Sequence, residues 1–453
     1  MCTLVQKYNI PGPRYTSYPT VPYWNMDTFS GTKWKSTVRQ SFIESNGPEG
    51  ISLYIHIPFC ESLCTFCGCH KRITKRHGVE LPYIDTVLRE WKLYIDLFPE
   101  KPTIKELHLG GGTPTFFSPE HLEMLIEGIF KYANRAENYE FSFEGHPNNT
   151  SKAHLQTLYD LGFRRVSFGI QDYNETVQKA IHRIQPFENV KRVTDWAREI
   201  GYSSVGHDII FGLPHQNMAH VEQTILKTKE LMPDRLAFYS YAHVPWLKGN
   251  GQRGYKDADL PTAEEKRNQY EKGKQLLSKV GYHEIGMDHF ALPTDGLFRS
   301  MKAGGLYRNF MGYTASKTQL MIGLGASSIS DSWYSFSQNV KSLEEYKHLV
   351  ENDIIPIYRG HILTDEDQMI RKHILNLMCR FETSWHGETE NSPYYKKVAE
   401  RLGEMELDGL VECTPEKVRV TDEGRPFVRN ICMAFDAHLH RKAPETRLFS
   451  MTI

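Results

Sequence analysis

The chain has 453 residues, 40% hydrophobic and 24% charged, ordinary for a soluble globular protein and long enough for one large core and a smaller one. A formal net charge of −1 supplies no global field to gather nucleic acid or anionic lipid, and no apolar run is long enough to span a bilayer. The start, Met1-Cys-Thr-Leu-Val-Gln-Lys-Tyr-Asn, lacks a basic region followed by an apolar one, so no signal peptide is expected. Eight cysteines, four of them crowded between 60 and 69, fit a reducing compartment better than a disulfide framework, and a cytoplasmic protein is the expectation.

Residues 1–48 are rich in Pro, Tyr, Thr and Ser, with Gly12-Pro-Arg-Tyr-Thr-Ser-Tyr-Pro19 at their centre. Prolines at 11, 13, 19 and 22 argue against a long helix and for an extended arm. Tyr8, Tyr15, Tyr18, Tyr23 and Trp24 are too much aromatic surface for a solvated tail. The arm is therefore expected to wrap onto the body, with 14–18 closing over its mouth.

Residues 51–59 read as a buried strand ended by Pro58, and Cys60, Cys64, Cys67 and Cys69 follow at once. Thiolates are soft anionic ligands, and a short loop can aim several at one iron–sulfur cube. Three ligands for a four-iron cube leave one iron open, able to hold a small molecule. A zinc knuckle or disulfide is the bland alternative, but no second cysteine pair stands at suitable spacing.

From 51 to about 280 strand signals alternate with helical ones. The strands are 51–59, 106–110, 140–144, 165–171, 205–211 and 235–241; helices are expected near 82–98, 118–134, 152–161, 187–200, 217–230 and 264–279. Six such units imply parallel strands with right-handed crossovers, whose spatial order the sequence leaves open. The carboxyl ends of such strands collect chemistry. The second ends in Gly110-Gly-Gly-Thr113-Pro114, where backbone can approach a ligand closely. The third carries Phe141-Ser-Phe-Glu144, whose alternation sets Ser142 and Glu144 on one face; a carboxylate there could hold ribose hydroxyls. The fifth carries Asp208 on an otherwise apolar strand, where it needs a partner or ligand, while His207 reads as a wall residue. After 280 the rhythm stops. Residues 286–453 are expected to form a mostly helical cap with a winged-helix-like end, whose DNA-binding reading is poor for lack of phosphate attraction.

C-x-x-x-C-x-x-C after a strand resembles the radical S-adenosylmethionine (SAM) superfamily. Tyr54-Ile-His-Ile-Pro-Phe-Cys60, with Phe66 and Cys69 in the loop, Gly-Gly-Gly-Thr-Pro-Thr and the proline–tyrosine arm resemble its oxygen-independent coproporphyrinogen III oxidases. The resemblance implies an α/β fold, an incomplete (β/α)6 barrel at 49–285 between the 1–48 arm and the 286–453 cap. It implies a [4Fe-4S] cluster on Cys60, Cys64 and Cys67 and two SAM molecules per chain. These would be lined by Tyr54, Phe66, Gly111, Gly112, Thr113, Glu144, Gln171, Arg183, Asp208, Ala242 and Ile329, with Tyr54 and Cys69 in catalytic roles. Thr113 stands where many superfamily members carry Glu, and Gly145-His-Pro-Asn148 departs from the Asp-Pro-Arg of some, which leaves detail there open.

The implied reaction removes a hydrogen from the β-carbon of a propionate, then carbon dioxide and an electron, leaving a vinyl group. Done twice, it turns coproporphyrinogen III into protoporphyrinogen IX. The implied partners are that substrate and a low-potential electron donor; a monomer is expected, with no nucleic acid or membrane bound. The four-carboxylate substrate needs cations, for which Arg14, Arg253 and Arg308 are candidates. A haem chaperone and a radical SAM methyltransferase or cyclopropanase are the competing readings.

Overall fold

The computed structural model describes residues 2–246, 251–252, 254–385, 392–442 and 448–452. Arg253 lies outside them. Six strands form the centre: β1 (Ile51–Ile57), β2 (Thr103–Gly111), β3 (Asn134–Gly145), β4 (Arg165–Gln171), β5 (Ser204–Phe211) and β6 (Arg235–Ser240). They pair in chain order and in parallel throughout. Parallel neighbours need crossovers, and the helices Glu80–Ile95, Pro119–Phe130, Lys152–Asp160, Phe187–Ile200 and Met218–Leu231 supply them. Ser118, Ser151 and Asn217 start three of these helices by accepting a backbone N–H in the first turn. Gly201, at φ 109°, ends the fourth in the left-handed conformation that favours glycine.

Phe141 and Phe143 of β3 are fully buried on the helix-facing side. Opposite them, Glu106 and His108 of β2, Glu144 of β3, Ser167 of β4, Asp208 of β5 and Tyr239 of β6 line one interior cavity. The strands thus wrap round a polar interior inside an apolar shell, an incomplete barrel.

The sheet does not stop at six strands. His289–Ala291 and His283–Gly286 add antiparallel strands beyond β6. At the other edge Met321–Leu324 lies parallel to β1, followed by Ile329–Asp331, Ser335–Asn339 and Ile357–Ile362, giving twelve strands. The expected boundary at 285/286 therefore runs through the sheet, and helix dominates only from Asp365 onward. These strands escaped the sequence reading because they are three to six residues long, and no crossover helix separates the last four except Leu343–Glu351.

The arm differs too. Cys2–Tyr8 and Gly31–Ser45 are helices, and the prolines at 11, 13, 19 and 22 fall in the stretch between. Trp34, Val38 and Phe42, spaced four apart, bury one stripe of Gly31–Ser45 in the main core. The middle of the arm joins a second core. Tyr15 and Tyr18 pack there with Ile285, Leu297 and residues of the helices Asp365–Arg380, Pro393–Leu407 and Val428–Phe435. Tyr15 Oη donates to Asp436 at 3.0 Å. Buried Arg429 binds the arm to the chain's end, donating to the carbonyls of Gly12 and Pro13 and of Met451 and Thr452.

Candidate active site

Pro58 ends β1, and the chain turns into a loop closed at its base. Phe59–Cys60 pairs in parallel with Arg72–Ile73, with Arg72 N–H on the Pro58 carbonyl at 2.6 Å and Thr74 N–H on that of Cys60 at 2.9 Å. The end of β2 grips the same loop: Gly112 N–H donates to Ile57 at 2.8 Å and Thr113 N–H to Phe59 at 3.0 Å. A Cβ on Gly112 would lie 2.8 Å from the Phe59 oxygen, so a larger residue would push the loop away. Gly111, at φ 117°, leaves room for the His56 ring.

Cys60, Cys64, Cys67 and Cys69 are free thiols lining one cavity of about 180 Å³. Cys60 Sγ is 3.4 Å from Thr113 Oγ1, and Arg183 Nη1 is 3.7 Å from Cys64 Sγ. Burial pushes the Cys60 thiol up to about 11. The hydrogen bond from Cys69 brings Cys67 down to about 6, while Cys69 itself, the donor, is pushed well up. Thiolate ligands, a nearby guanidinium and a glycine-walled cavity suit an iron–sulfur cluster, and Cys60, Cys64 and Cys67 could hold one.

Phe66, Gly111, Gly112, Thr113, Glu144, Gln171, Arg183 and Asp208 share that cavity with the cysteines. Glu144 also faces a neighbouring cavity of about 230 Å³, lined by Tyr54, His56, His108, Phe310 and Ile329. Its carboxylate accepts the Gly111 N–H at 3.4 Å and lies 3.5 Å from His108 Nε2. Burial opposes ionisation there, but the bond and charge of His108 and the Gly111 N–H hold the carboxyl below its ordinary value. His108 Nδ1 pairs with Ser142 Oγ at 2.8 Å, and its ring stacks on Tyr54 at 6.0 Å between centroids. Tyr54 Oη is 3.0 Å from His56 Nδ1, whose other nitrogen meets the His70 carbonyl. Burial lowers His56 to about 4 and raises Tyr54 well above 10.

His56 and His108 were missed as functional candidates. The available signal was the alternation in Tyr54-Ile-His56 and in Glu106-Leu-His108, which sets these polar side chains on one face of their strands.

Asp208 accepts from Ser167 Oγ at 3.0 Å and is raised to about 7 by burial and by the charge of Glu144. Gln171 takes a positive φ of 70°, and Arg183 Nη2 donates to the Gly169 carbonyl at 2.7 Å, leaving its Nε without a partner. Ala242 is absent from both cavities. Its carbonyl instead accepts Gln252 Nε2 at 3.0 Å, and the same nitrogen donates to the Phe66 carbonyl, tying the end of β6 to the cysteine loop. His207 is fully buried with Nε2 on Thr194 Oγ1, a wall residue as expected. In the arm's 14–18 string, Arg14 turns toward the barrel, over the Tyr239 ring and paired with Asp288. Tyr15 and Tyr18 are committed to the second core. Arg308 is buried over the Tyr313 ring.

Residues 54–227 match the radical SAM superfamily. The chain is 37% identical to the oxygen-independent coproporphyrinogen III oxidase of Synechocystis sp. over 99% of its own length and 97% of that protein's. It is 36% identical to the enzyme of that name from Escherichia coli K12 over 97% of its length and 96% of the relative's. The solved coproporphyrinogen III oxidase of Escherichia coli, described as a radical SAM enzyme, superposes with a TM-score of 0.89 at 34% identity, covering 97% of this chain and 99% of that one. Similarity at this level runs through arm, barrel and cap alike, and the chain belongs to the oxygen-independent coproporphyrinogen III oxidase family of the radical SAM superfamily.

Proposed function

We propose that the chain converts two propionate side chains of coproporphyrinogen III to vinyl groups, giving protoporphyrinogen IX for haem synthesis. The observation that carries the reading is the cavity of free thiols at the carboxyl end of β1, in a chain that aligns end to end with oxidases of this name. Cys60, Cys64 and Cys67 hold a [4Fe-4S] cluster, and two SAM molecules occupy the adjoining space. The cluster and SAM together supply hydrogen-atom abstraction from carbon.

This chain's residues bind, orient and exclude water. Gly111, Gly112 and Thr113 present backbone to the first SAM, and Glu144 offers acceptors for ribose hydroxyls. Phe66, Gln171, Arg183 and Asp208 border the second, where Asp208 and Arg183 retain unused bonding capacity. Tyr54 and Ile329 wall the side nearest Glu144, and the Cys69 thiol sits on the cluster side as a hydrogen donor. An external low-potential donor supplies the electron that starts each turnover, and the chain works as a monomer. No helix among the described residues is long and apolar enough to cross a membrane.

The test is anaerobic incubation of reconstituted protein with SAM, a reductant and coproporphyrinogen III, followed by mass analysis. A product lighter by two carboxyl groups and the accompanying hydrogens is expected. A product that gains a methyl group would assign the chain to methyl transfer. Equilibrium binding that finds one SAM per chain would remove the second site.

A further inference from the structure

Residues 70–77, His-Lys-Arg-Ile-Thr-Lys-Arg-His, carry four cations and no carboxylate in a chain whose formal net charge is −1. The fold sets them beside the cysteines. In the short parallel pair, Ile73 lies opposite Cys60, and neighbouring strands run about 4.8 Å apart. Lys71 is spent inside the loop, donating to the carbonyls of Cys67 and Cys69 at 3.2 and 3.3 Å.

The other three cations point outward. Arg72, Lys75 and Arg76 are exposed, and Ile73 between them is 42% exposed. Arg72 meets Glu344 at 3.4 Å, but both side chains are largely solvated, where such a pair is weak. Lys75 and Arg76 have no ion pair among the described residues. The carboxylates flanking this turn, Glu61 and Glu80, both face His77. On the far side Lys341 stands beside His70 and adds positive charge.

An apolar side chain flanked by three exposed cations, of which only Arg72 has an ion pair among the described residues, adds little to this chain's own stability, since like charges repel. It has the character of a small docking patch: an apolar centre, a charged rim and a field that steers an anionic partner to one orientation. The chemistry one strand away says which partner. We propose that this face docks the electron donor, and that the donor is a small acidic one-electron carrier with an iron–sulfur centre of ferredoxin type. The proposal rests on the cysteine loop holding the cluster. One electron leaves the carrier's reduced centre, which is oxidised, and enters the oxidised cluster of this chain, which is reduced; no bond or proton moves.

The test uses reconstituted holoenzyme, its Lys75→Glu/Arg76→Glu variant, and an acidic plant-type two-iron ferredoxin as probe. Cluster bleaching after mixing with reduced ferredoxin is followed at several salt concentrations, with dithionite as a parallel reductant. Affinity for oxidised ferredoxin is measured alongside. The wild-type rate constant is expected to climb as salt is lowered. The variant should be slower by about tenfold or more at low salt, with a flattened salt dependence. Its reduction by dithionite and its iron content should be unchanged, and a Lys75→Gln/Arg76→Gln variant should fall in between. A charge-reversed variant as fast as the wild type with ferredoxin overturns the proposal, as does a wild-type rate indifferent to salt. An acidic oligonucleotide that binds the face as tightly as the ferredoxin does would assign it to nucleic acid instead. A wild-type protein that takes up no cluster, or whose cluster dithionite cannot reduce, would sink the reading of the cysteine loop, and this proposal with it.

Discussion

Asp208 at the barrel mouth and Asp367 beneath the chain's end are both inward carboxylates, yet their surroundings are opposite. Asp367 accepts the Thr364 N–H at 2.9 Å, the Thr364 hydroxyl at 2.8 Å, His361 Nε2 at 3.2 Å and His438 Nε2 at 2.7 Å. Burial works against its charge, but His361, His438 and Thr364 hold the carboxyl far below its ordinary range. Asp208 has one hydroxyl, and burial raises it to about 7. The arginines divide the same way. Every nitrogen of Arg429 meets a carbonyl, whereas Arg183 keeps an unpartnered Nε and a long contact to a thiol. Saturated polar groups fasten arm, sheet and cap together; unsaturated ones surround a cavity and are answered by what binds there. Substitutions should therefore separate function from stability at the mouth and join them at the clamp.

The largest expected effect is at the mouth. Replacing Cys60, Cys64 or Cys67 with Ser should abolish the cluster's visible absorbance and, with it, SAM cleavage and vinyl formation. The apo proteins should melt close to the wild type, because these thiols fill a cavity wall and pin no core. A Cys64→Ser protein with a full complement of iron would break the ligand assignment. Cys69→Ser should retain its iron and lose turnover, since its thiol hydrogen-bonds Cys67 and is not needed as a fourth ligand. Iron content falling to that of the ligand variants would show Cys69 to be a ligand as well.

At the clamp the order reverses. Asp367→Asn leaves the two histidines and Thr364 facing an amide, and should cost about 3 kcal/mol of unfolding free energy at pH 7. The sign follows from a folded pKa held below the unfolded one: the stabilisation is full above the ordinary carboxylate range and is lost as pH falls through the folded value. The deficit of the variant against the wild type should thus shrink on acidification below about pH 4, where the unfolded carboxyl takes up its proton. Denaturant titrations at neutral and acid pH check this. Equal stability of the two proteins at pH 7 would mean that the network is decorative.

These two regions were not equally legible in the sequence. The cysteine spacing, the triple glycine at the end of β2 and the lone Asp in β5 announced themselves because chemistry at strand ends needs particular residue types. The clamp did not, since its chemistry is spread over partners distant in sequence: Asp367 meets His438, and Arg429 meets the Gly12 carbonyl. Helix Gly31–Ser45 was hidden by weighing upstream prolines over a stripe at Trp34, Val38 and Phe42. The sheet strands between 321 and 362 were too short to show a period. Ala242 contributes a backbone carbonyl, which no residue type advertises.

The smallest expected effect has the opposite sign. Asp208 is raised to about 7 in the folded chain, against an ordinary 3.8. The folded state therefore holds a proton that the unfolded state releases, and stability declines as pH rises from about 4 to about 7 and stays low above. An amide in the same place carries no charge to desolvate and can still accept from Ser167. Asp208→Asn apo protein should be more stable than wild type at pH 8, by about 1–2 kcal/mol once the partial solvation of this cavity wall is allowed for, and equal to it near pH 4. The same variant should keep its cluster and bind less SAM at the second site. A variant less stable than wild type at pH 8 would mean that Asp208 already has a counter-charge, and that the mouth is as saturated as the clamp.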